Sequence, residues 1–186
     1  GTSGWWDDIE GGPGDDVLID PDGSGFLIGG PGNDTLDGNP FYENDPGGVS
    51  VNLDDNPWDV YGDSSLVVAG DSAFDGYGGT DTIVSNFQWQ EVRATNFNDN
   101  VQGSDFADNL RTWGGDDILI GGAGDDNLGP GSGNDYVDGG DGHDNIDYHW
   151  NDHDAAGQPT QGIVLNLGNV DFNYGSGIAL ANSAID

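Results

Sequence analysis

Residues 121–129 read Gly-Gly-Ala-Gly-Asp-Asp-Asn-Leu-Gly, and this stretch decides the fold because it recurs along the chain. Residues 139–147 read Gly-Gly-Asp-Gly-His-Asp-Asn-Ile-Asp, and residues 11–19 and 29–37 follow the same pattern. The shared unit of nine residues is Gly-Gly-x-Gly-x-Asp-x-U-x, where U is aliphatic. A fixed period of this kind predicts a solenoid, in which each unit packs on its neighbours.

Each part of the unit has a physical role. Glycine permits the sharp turns of the first six residues, because it adopts positive φ without a steric cost. The last three residues form a short strand with the aliphatic side chain pointing inward. The sixth residue places a carboxylate beside backbone carbonyls, and oxygen ligands in a flexible loop suit Ca²⁺. Two units complete one turn of a flattened coil, so every second loop stacks on the same edge and can share an ion with the next.

The longer repeat block spans residues 76–147. Counting windows of nine from residue 76, the sixth position is Asp in every window except the second, where it is Gln90. Every eighth residue is aliphatic: Ile83, Val92, Val101, Leu110, Leu119, Leu128, Val137 and Ile146. We therefore predict one uninterrupted coil of roughly four turns. Its first turns contain few glycines, so we expect looser loops and weaker calcium sites there.

A shorter block lies at the N-terminus, where windows begin at residues 2, 11, 20 and 29. Its eighth residues are Ile9, Leu18, Leu27 and Leu36, and its sixth residues are Asp7, Asp16, Gly25 and Asp34. Gly25 has no side chain to ligate, so the edge that carries Asp7 should hold calcium poorly. The two blocks differ in phase by two residues, so they form separate coils or one coil with a slip. The predicted division is 1–38, N-terminal repeats; 39–75, linker with a strand; 76–147, main β-roll; and 148–186, linker and C-terminal strand.

The nonapeptide strongly resembles the calcium-binding repeat of the RTX (repeats-in-toxin) family of secreted bacterial proteins. This resemblance implies an all-β fold, namely a right-handed parallel β-roll with flanking strands. One ion between each pair of stacked loops gives about five Ca²⁺. The predicted carboxylate pairs are Asp16–Asp34, Asp99–Asp117, Asp117–Asp135, Asp108–Asp126 and Asp126–Asp144. Asp7 is a further candidate, and neighbouring glycines should ligate through their carbonyls: Gly12, Gly14, Gly30, Gly32, Gly115, Gly122, Gly124, Gly131, Gly133, Gly140 and Gly142.

Composition supports a cation ligand and excludes several partners. The chain of 186 residues has 35 acidic residues against Arg93 and Arg111, for a formal net charge of −33. A chain this acidic repels itself when compact, so folding and calcium binding should be one event. Nucleic acid and anionic membranes both require a basic face, and no apolar run approaches the length of a membrane span. The absence of cysteine fits secretion without disulfide chemistry.

The segments outside the repeats suggest a larger module. Residues 48–53 and 162–167 are similar, alternate apolar and polar residues, and predict a strand in each case. Residues 1–9 also resemble residues 103–110. A coil without polar caps tends to associate end to end, so we expect self-association or tandem neighbouring modules. The alternative is that Trp5, Trp6 and the C-terminal strand serve as caps.

Other chemistry has weak support. His149 and His153 have a spacing that could bind zinc on a helix, but their surroundings favour a solvated linker. No nucleophile elbow, phosphate-binding loop or isolated carboxylate pair is present, so we do not expect an enzyme. The six tryptophans could stack on carbohydrate or contact another protein, but covering the coil ends and the linker strands is the favoured interpretation, which leaves a carbohydrate partner unsupported.

Two functions remain open at this stage. The first is a calcium-binding structural segment of a secreted or cell-surface bacterial protein, such as an adhesin, matrix protein or filament subunit. The second is a non-catalytic RTX module that aids the secretion and stability of an exoenzyme whose catalytic domain is outside this chain. The resemblance implies type I secretion in either case, although no convincing C-terminal signal is visible. Repetition of the larger module favours the first function.

Overall fold

The computed structural model describes residues 8–21, 23–84 and 89–147, together with the backbone of the strands at 164–166, 172–174 and 177–179. All regular structure in these residues is β-strand, which confirms the all-β prediction. None of the described residues belongs to a helix that is long and apolar enough to cross a membrane.

The strands form a β-solenoid of about seven turns with two long faces. The first face is a nine-stranded sheet, in the order β2 (Val17–Ile19), β4 (Thr35–Asp37), β10 (Thr80–Ile83), β9 (Ser72–Phe74), β6 (Ser50–Asn52), β12 (Asn100–Gln102), β14 (Ile118–Ile120), β16 (Tyr136–Asp138) and β18 (Val164–Asn166). The second face comprises β1 (Ile9–Glu10), β3 (Phe26–Ile28), β5 (Asn39–Pro40), β11 (Trp89–Arg93), β13 (Ala107–Arg111), β15 (Asn127–Gly129) and β17 (Asn145–Ile146). A parallel bridge between Phe41 and Arg93 joins its two sheets.

Two antiparallel hairpins lie outside these faces. One consists of β7 (Trp58–Asp59) and β8 (Val67–Val68), and the other of β19 (Phe172–Tyr174) and β20 (Gly177–Ala179). The strands predicted within residues 48–53 and 162–167 are confirmed as β6 and β18, and each joins the nine-stranded face by parallel pairing.

The core is a narrow file of the eighth-position side chains, as the repeat predicts. Leu110 pairs with Leu128, and Leu119 pairs with Val137, so each residue meets its equivalent two units further along the chain. These four side chains are fully buried between the faces. The strands are only two to five residues long, so one or two inward side chains from each strand supply the apolar burial.

The structure shows one continuous stack, which answers the question that the phase difference left open. β10 pairs with β4, and their paired residues are 47 positions apart in the sequence, which is two more than the length of five nonapeptides. The intervening chain adds β9 and β6 to the same face, with β9 antiparallel to both neighbours. The two-residue phase difference therefore marks the point where a non-repetitive segment, which contains β6 and β9, is inserted into the coil.

The predicted uninterrupted stacking over residues 76–147 is wrong at its first strand. β10 does not pair with β12, because β9 and β6 lie between them. From β11 onward the expected register of two units per turn holds on both faces. The physical reason is that the pattern specifies only which side chain is buried. Ala73 of β9 and Ile83 of β10 are both buried in the core, so the pattern does not specify which strand is the neighbour of another. The division at residues 38, 75 and 147 remains a prediction.

Candidate calcium sites

The sixth-position aspartates form ladders along the edges of the coil. The backbone N–H of one aspartate donates to Oδ1 of the aspartate 18 residues later, and every bond of this type is 2.8–3.2 Å long. The pairs are Asp16–Asp34, Asp99–Asp117, Asp108–Asp126, Asp117–Asp135 and Asp126–Asp144. The structure thus brings together all five predicted pairs, while their role as metal ligands stays a prediction.

The second oxygen of these carboxylates has a different environment. Among the described residues, several buried carboxylate oxygens accept no hydrogen bond: Oδ2 of Asp16, Asp34, Asp75, Asp117, Asp126, Asp135 and Asp144, and Oδ1 of Asp108. A buried acceptor without a partner costs free energy, and buried charge costs more unless an opposite charge compensates it. These oxygens fit a bound cation, which would supply that charge.

Glycine allows the loops to stack closely enough to share a cation. At Gly122 and Gly140, φ is +104° and +86°, which is the left-handed region that other residues rarely adopt. A side chain at Gly121 would also collide with the carboxylate of Asp126 and with the carbonyl of Gly139. The carbonyls and carboxylates of successive loops therefore converge around positions that no other residue could occupy.

The other predicted glycines occupy equivalent positions. Positive φ occurs at Gly12, Gly14, Gly30, Gly115, Gly124, Gly131, Gly133 and Gly142, whereas Gly32 lies outside that region and is packed against the Gly14 carbonyl. Within the described residues, no group of three or more His, Cys, Asp or Glu side chains could hold a metal ion. An ion at these loops would therefore take one or two carboxylates and complete its shell with backbone carbonyls, as Ca²⁺ sites do.

The fifth position carries a second ladder that the sequence analysis missed. Oδ1 of Asp125 accepts the N–H of His143 at 2.9 Å, and Oδ1 of Asp116 accepts the N–H of Asn134 at 2.9 Å. Asp15 and Asn33 form the same bond in the N-terminal block. This ladder is exposed and runs in the opposite sense to the sixth-position ladder. Its signal was the recurrence of Asp or Asn at the fifth position of these loops.

The glycine-poor loops satisfy their aspartates differently. Thr95 donates its N–H and its hydroxyl to Asp99 at 2.8 Å, and Ser104 donates its N–H and its hydroxyl to Asp108 at 2.7 and 3.0 Å. Both residues occupy the second position of their unit, where the regular loops carry glycine. A neutral hydroxyl thus replaces part of what a cation would supply, which supports the expectation of weaker sites at these turns.

Electrostatics at the sixth position disfavours bare carboxylates. Burial raises the pKa of Asp117 to about 8 and that of Asp126 to about 7. Burial also raises the pKa of Asp99, Asp108 and Asp135 to about 6 in each case. The stacked neighbours add repulsion, since Asp99 and Asp135 both raise the pKa of Asp117. A divalent cation would favour the charged forms and so reverse this effect.

The two arginines both lie beside Glu91. Glu91 Oε1 lies 2.9 Å from Arg93 Nε and 3.4 Å from Arg111 Nη1 on the second face. The guanidinium of Arg93 also lies 4.3 Å from the centre of the Phe26 ring, across the boundary between the blocks. Gln90, which interrupts the aspartate series, is buried in this region, and its side-chain amide has no hydrogen-bond partner among the residues that the structure describes.

Several predicted positions lie outside the described residues. These are Asp7, the tryptophans Trp5 and Trp6, and the residues His149, Trp150 and His153. The proposed weakness of the edge that carries Asp7 therefore stays a prediction, as do the alternatives of zinc binding and end capping.

A known protein family matches the repeat segments of this chain. The family model of the RTX calcium-binding nonapeptide repeat matches four copies in this chain, at residues 6–20, 22–40, 93–128 and 131–150. A search of curated proteins found no match. Repeats of this family bind calcium, and the β-rolls that they form are typically non-catalytic structural modules.

Proposed function

Because this chain is a member of the RTX repeat family and folds as a β-solenoid, we propose that it is a calcium-binding structural β-roll segment of a secreted bacterial surface, matrix or filament-forming protein. The observation that carries this proposal is the ladder of stacked aspartates, in which every described member except Asp99 has a buried carboxylate oxygen without a hydrogen-bond donor among the described residues. Calcium is the ligand that this set of oxygens fits.

Calcium binding and folding are one process in this proposal. The formal charge of −33 opposes compaction, and the core offers only a narrow file of aliphatic side chains against it. Each bound ion offsets two negative charges and connects two loops that stack on the same edge of the coil. The chain therefore gains its stability as the sites fill, in the manner of other small domains whose folding depends on a metal.

An extracellular location follows from the supply of calcium. RTX repeat proteins are typically secreted and bind extracellular calcium. In two of the sites, one carboxylate already accepts a hydrogen bond from a hydroxyl, so those sites require a high calcium concentration to fill. A β-roll in calcium-poor cytosol would stay unfolded and would become structured only after export.

Self-association has support from an exposed edge. Among the described residues, β2 is the outermost strand of the nine-stranded face. Val17 is 70% exposed and Ile19 is 54% exposed, so two of the three apolar side chains of this edge strand contact solvent. An edge strand with free backbone groups and apolar side chains is a template for pairing with another chain or a neighbouring module.

Circular dichroism and light scattering during a calcium titration test the proposal. Chelator-treated protein should gain β signal cooperatively at submillimolar to millimolar calcium, and scattering should rise with it if the chain self-associates. A gain in β signal without scattering would favour the alternative, an isolated RTX module that aids secretion and stability of an exoenzyme. No change in the spectrum would refute calcium-dependent folding.

A further inference from the structure

A buried carboxylate that belongs to no nonapeptide lies where the N-terminal repeats meet the inserted strands. Asp75 occupies the turn between β9 and β10 and is only 5% exposed. Its Oδ1 accepts the N–H groups of Tyr77 at 3.0 Å and Gly79 at 2.6 Å. Its Oδ2 is buried and accepts no hydrogen bond. The turn therefore fixes the carboxylate but leaves one oxygen without a partner, which is costly unless a ligand satisfies it.

The free oxygen of Asp75 has the same surroundings as the oxygens of the regular sites. At Gly11 and Gly121, a side chain would collide with the carbonyl of the glycine 18 residues later and with the free Oδ2 of Asp16 or Asp126. At Gly79, a side chain would collide with the Gly32 carbonyl and would meet Asp75 Oδ2 at 2.8 Å. Asp75 thus places a free carboxylate oxygen beside a glycine carbonyl of the stacked loop, as the sixth-position aspartates do at the regular sites.

The aspartate that the repeat pattern would select is already satisfied. Asp81 is the sixth residue of its window, and its Oδ1 accepts the N–H of Asp34 at 2.9 Å. Its Oδ2 accepts the hydroxyl of the buried Tyr42 at 3.1 Å. The Tyr42 hydroxyl thus donates to the Asp81 oxygen that a cation would otherwise contact. The oxygen without a donor at this turn is Oδ2 of Asp75.

Charge at the junction also calls for a cation. Asp34 is 1% exposed, its Oδ2 has no hydrogen-bond partner, and Asp75 is close enough to repel it. The chain has no lysine, and both of its arginines interact with Glu91 on the second face. Two buried carboxylates that lack compensation in this way favour a bound cation, which would supply the missing charge.

We propose that the carboxylates of Asp75 and Asp34 and the carbonyl of Gly32 form a calcium site in addition to those between successive nonapeptides. This inference presupposes the calcium-binding function proposed above. The oxygen-only ligand set is that of Ca²⁺. The ion joins the last loop of the N-terminal block to the turn before β10, which follows the inserted strands in the chain. It therefore couples the two repeat blocks across the excursion that separates them.

Native mass spectrometry at saturating calcium tests this site by counting ions per chain. Asp75→Asn should bind one ion fewer than the unaltered chain, because the amide keeps the turn but loses the anionic oxygen. Asp63→Asn is the matched control, since exposed Asp63 accepts the N–H of Ser65 two residues later in the same type of turn. Asp63→Asn and Asp81→Asn should both retain the full number of ions.

Two outcomes would overturn the inference while leaving the proposed function intact. One is an unchanged ion count for Asp75→Asn in a chain that otherwise binds calcium. The other is loss of an ion from Asp81→Asn and not from Asp75→Asn. If the unaltered chain binds no calcium at all, the proposed function itself fails.

A second measurement needs no variant and so does not depend on the folding of Asp75→Asn. Crystals of the unaltered chain grown with calcium and exchanged into terbium should show anomalous density between Asp75 Oδ2 and the Gly32 carbonyl. Terbium at the nonapeptide loops without density at this position would refute the junction site.

Discussion

Replacement of Asp126 by asparagine should have opposite effects on stability with and without calcium. Oδ1 of Asp126 accepts the N–H of Asp108 at 2.8 Å, and the Asp126 N–H donates to Asp144 at 3.1 Å. Asparagine can keep both bonds and has nearly the same shape. The substitution therefore removes only the negative charge and the buried Oδ2 acceptor, which has no hydrogen-bond partner.

The magnitude follows from the position of Asp126 between two stacked partners. An ion at one hundred times its dissociation constant adds about 2.7 kcal/mol to the free energy of unfolding. Loss of both ions that share Asp126 would remove about 5 kcal/mol, as twice that value. Without calcium the sign reverses, because burial raises the pKa of Asp126 to about 7 and so penalises its charged form at pH 8. The calcium-free variant should therefore be more stable than the unaltered chain.

Urea unfolding followed by circular dichroism at pH 8 measures the effect in calcium, and the β signal that each chain retains in chelator at pH 8 compares the two chains without calcium. Asp125→Asn is the matched control: it is the adjacent aspartate, is exposed, and accepts the N–H of His143. Its free energy of unfolding should change by less than about 0.5 kcal/mol. The reasoning is refuted if calcium stabilises Asp126→Asn as strongly as it stabilises the unaltered chain.

Three further predictions concern the coil itself. Calcium-free protein should become more stable as pH falls from about 8 to about 4, because burial raises the pKa of groups such as Asp117 to about 8, so the folded chain binds protons that the unfolded chain does not. The affinity for calcium should fall over the same pH range. A chemical-denaturation series with a calcium titration at each pH checks both trends. Leu119→Ala should lower the free energy of unfolding in calcium, measured with urea, by about 2–5 kcal/mol, because Leu119 is fully buried between the two faces. A change below about 1 kcal/mol would mean that the core is not close-packed at this position. Ser104→Gly should lower the free energy of unfolding of the calcium-free fold by about 1 kcal/mol, because the hydrogen bond from the hydroxyl to Asp108 is lost. Calorimetry should nevertheless find tighter calcium binding. An unchanged calcium affinity would show that the hydroxyl does not compete with the ion.

The repeat predicted the regular part of the fold because its spacing has a direct geometric meaning. An aliphatic residue in every nonapeptide must face the core, and Leu110, Leu128 and Ile146 stack in the expected register. The same spacing predicts that Asp108 lies beside Asp126 and that Asp126 lies beside Asp144, and the structure brings these residues together.

The pattern failed where the chain departs from its period. Nothing in the sequence indicated that β10 would pair with β4 or that β9 would run antiparallel between β10 and β6. Local sequence sets which side of a strand is buried, but many neighbours satisfy that requirement equally well. The choice among them depends on contacts between distant residues, such as the hydrogen bond from Tyr42 to Asp81.

The amino-acid sequence by itself determined a calcium-binding β-roll, because each unit contains its own turn, strand and carboxylate, and stacking follows from the period. Only the tertiary structure decided that the two blocks form one coil, that Thr95 and Ser104 bond the aspartates of the glycine-poor loops, and that Asp75 lies close to the Gly32 carbonyl. The physical reason is the range of the interactions. Repeat geometry is local and recurs with every nonapeptide, whereas the junction depends on contacts between distant segments, such as Asp34 with Asp81, 47 residues apart, and Asn39 with Glu91, 52 residues apart.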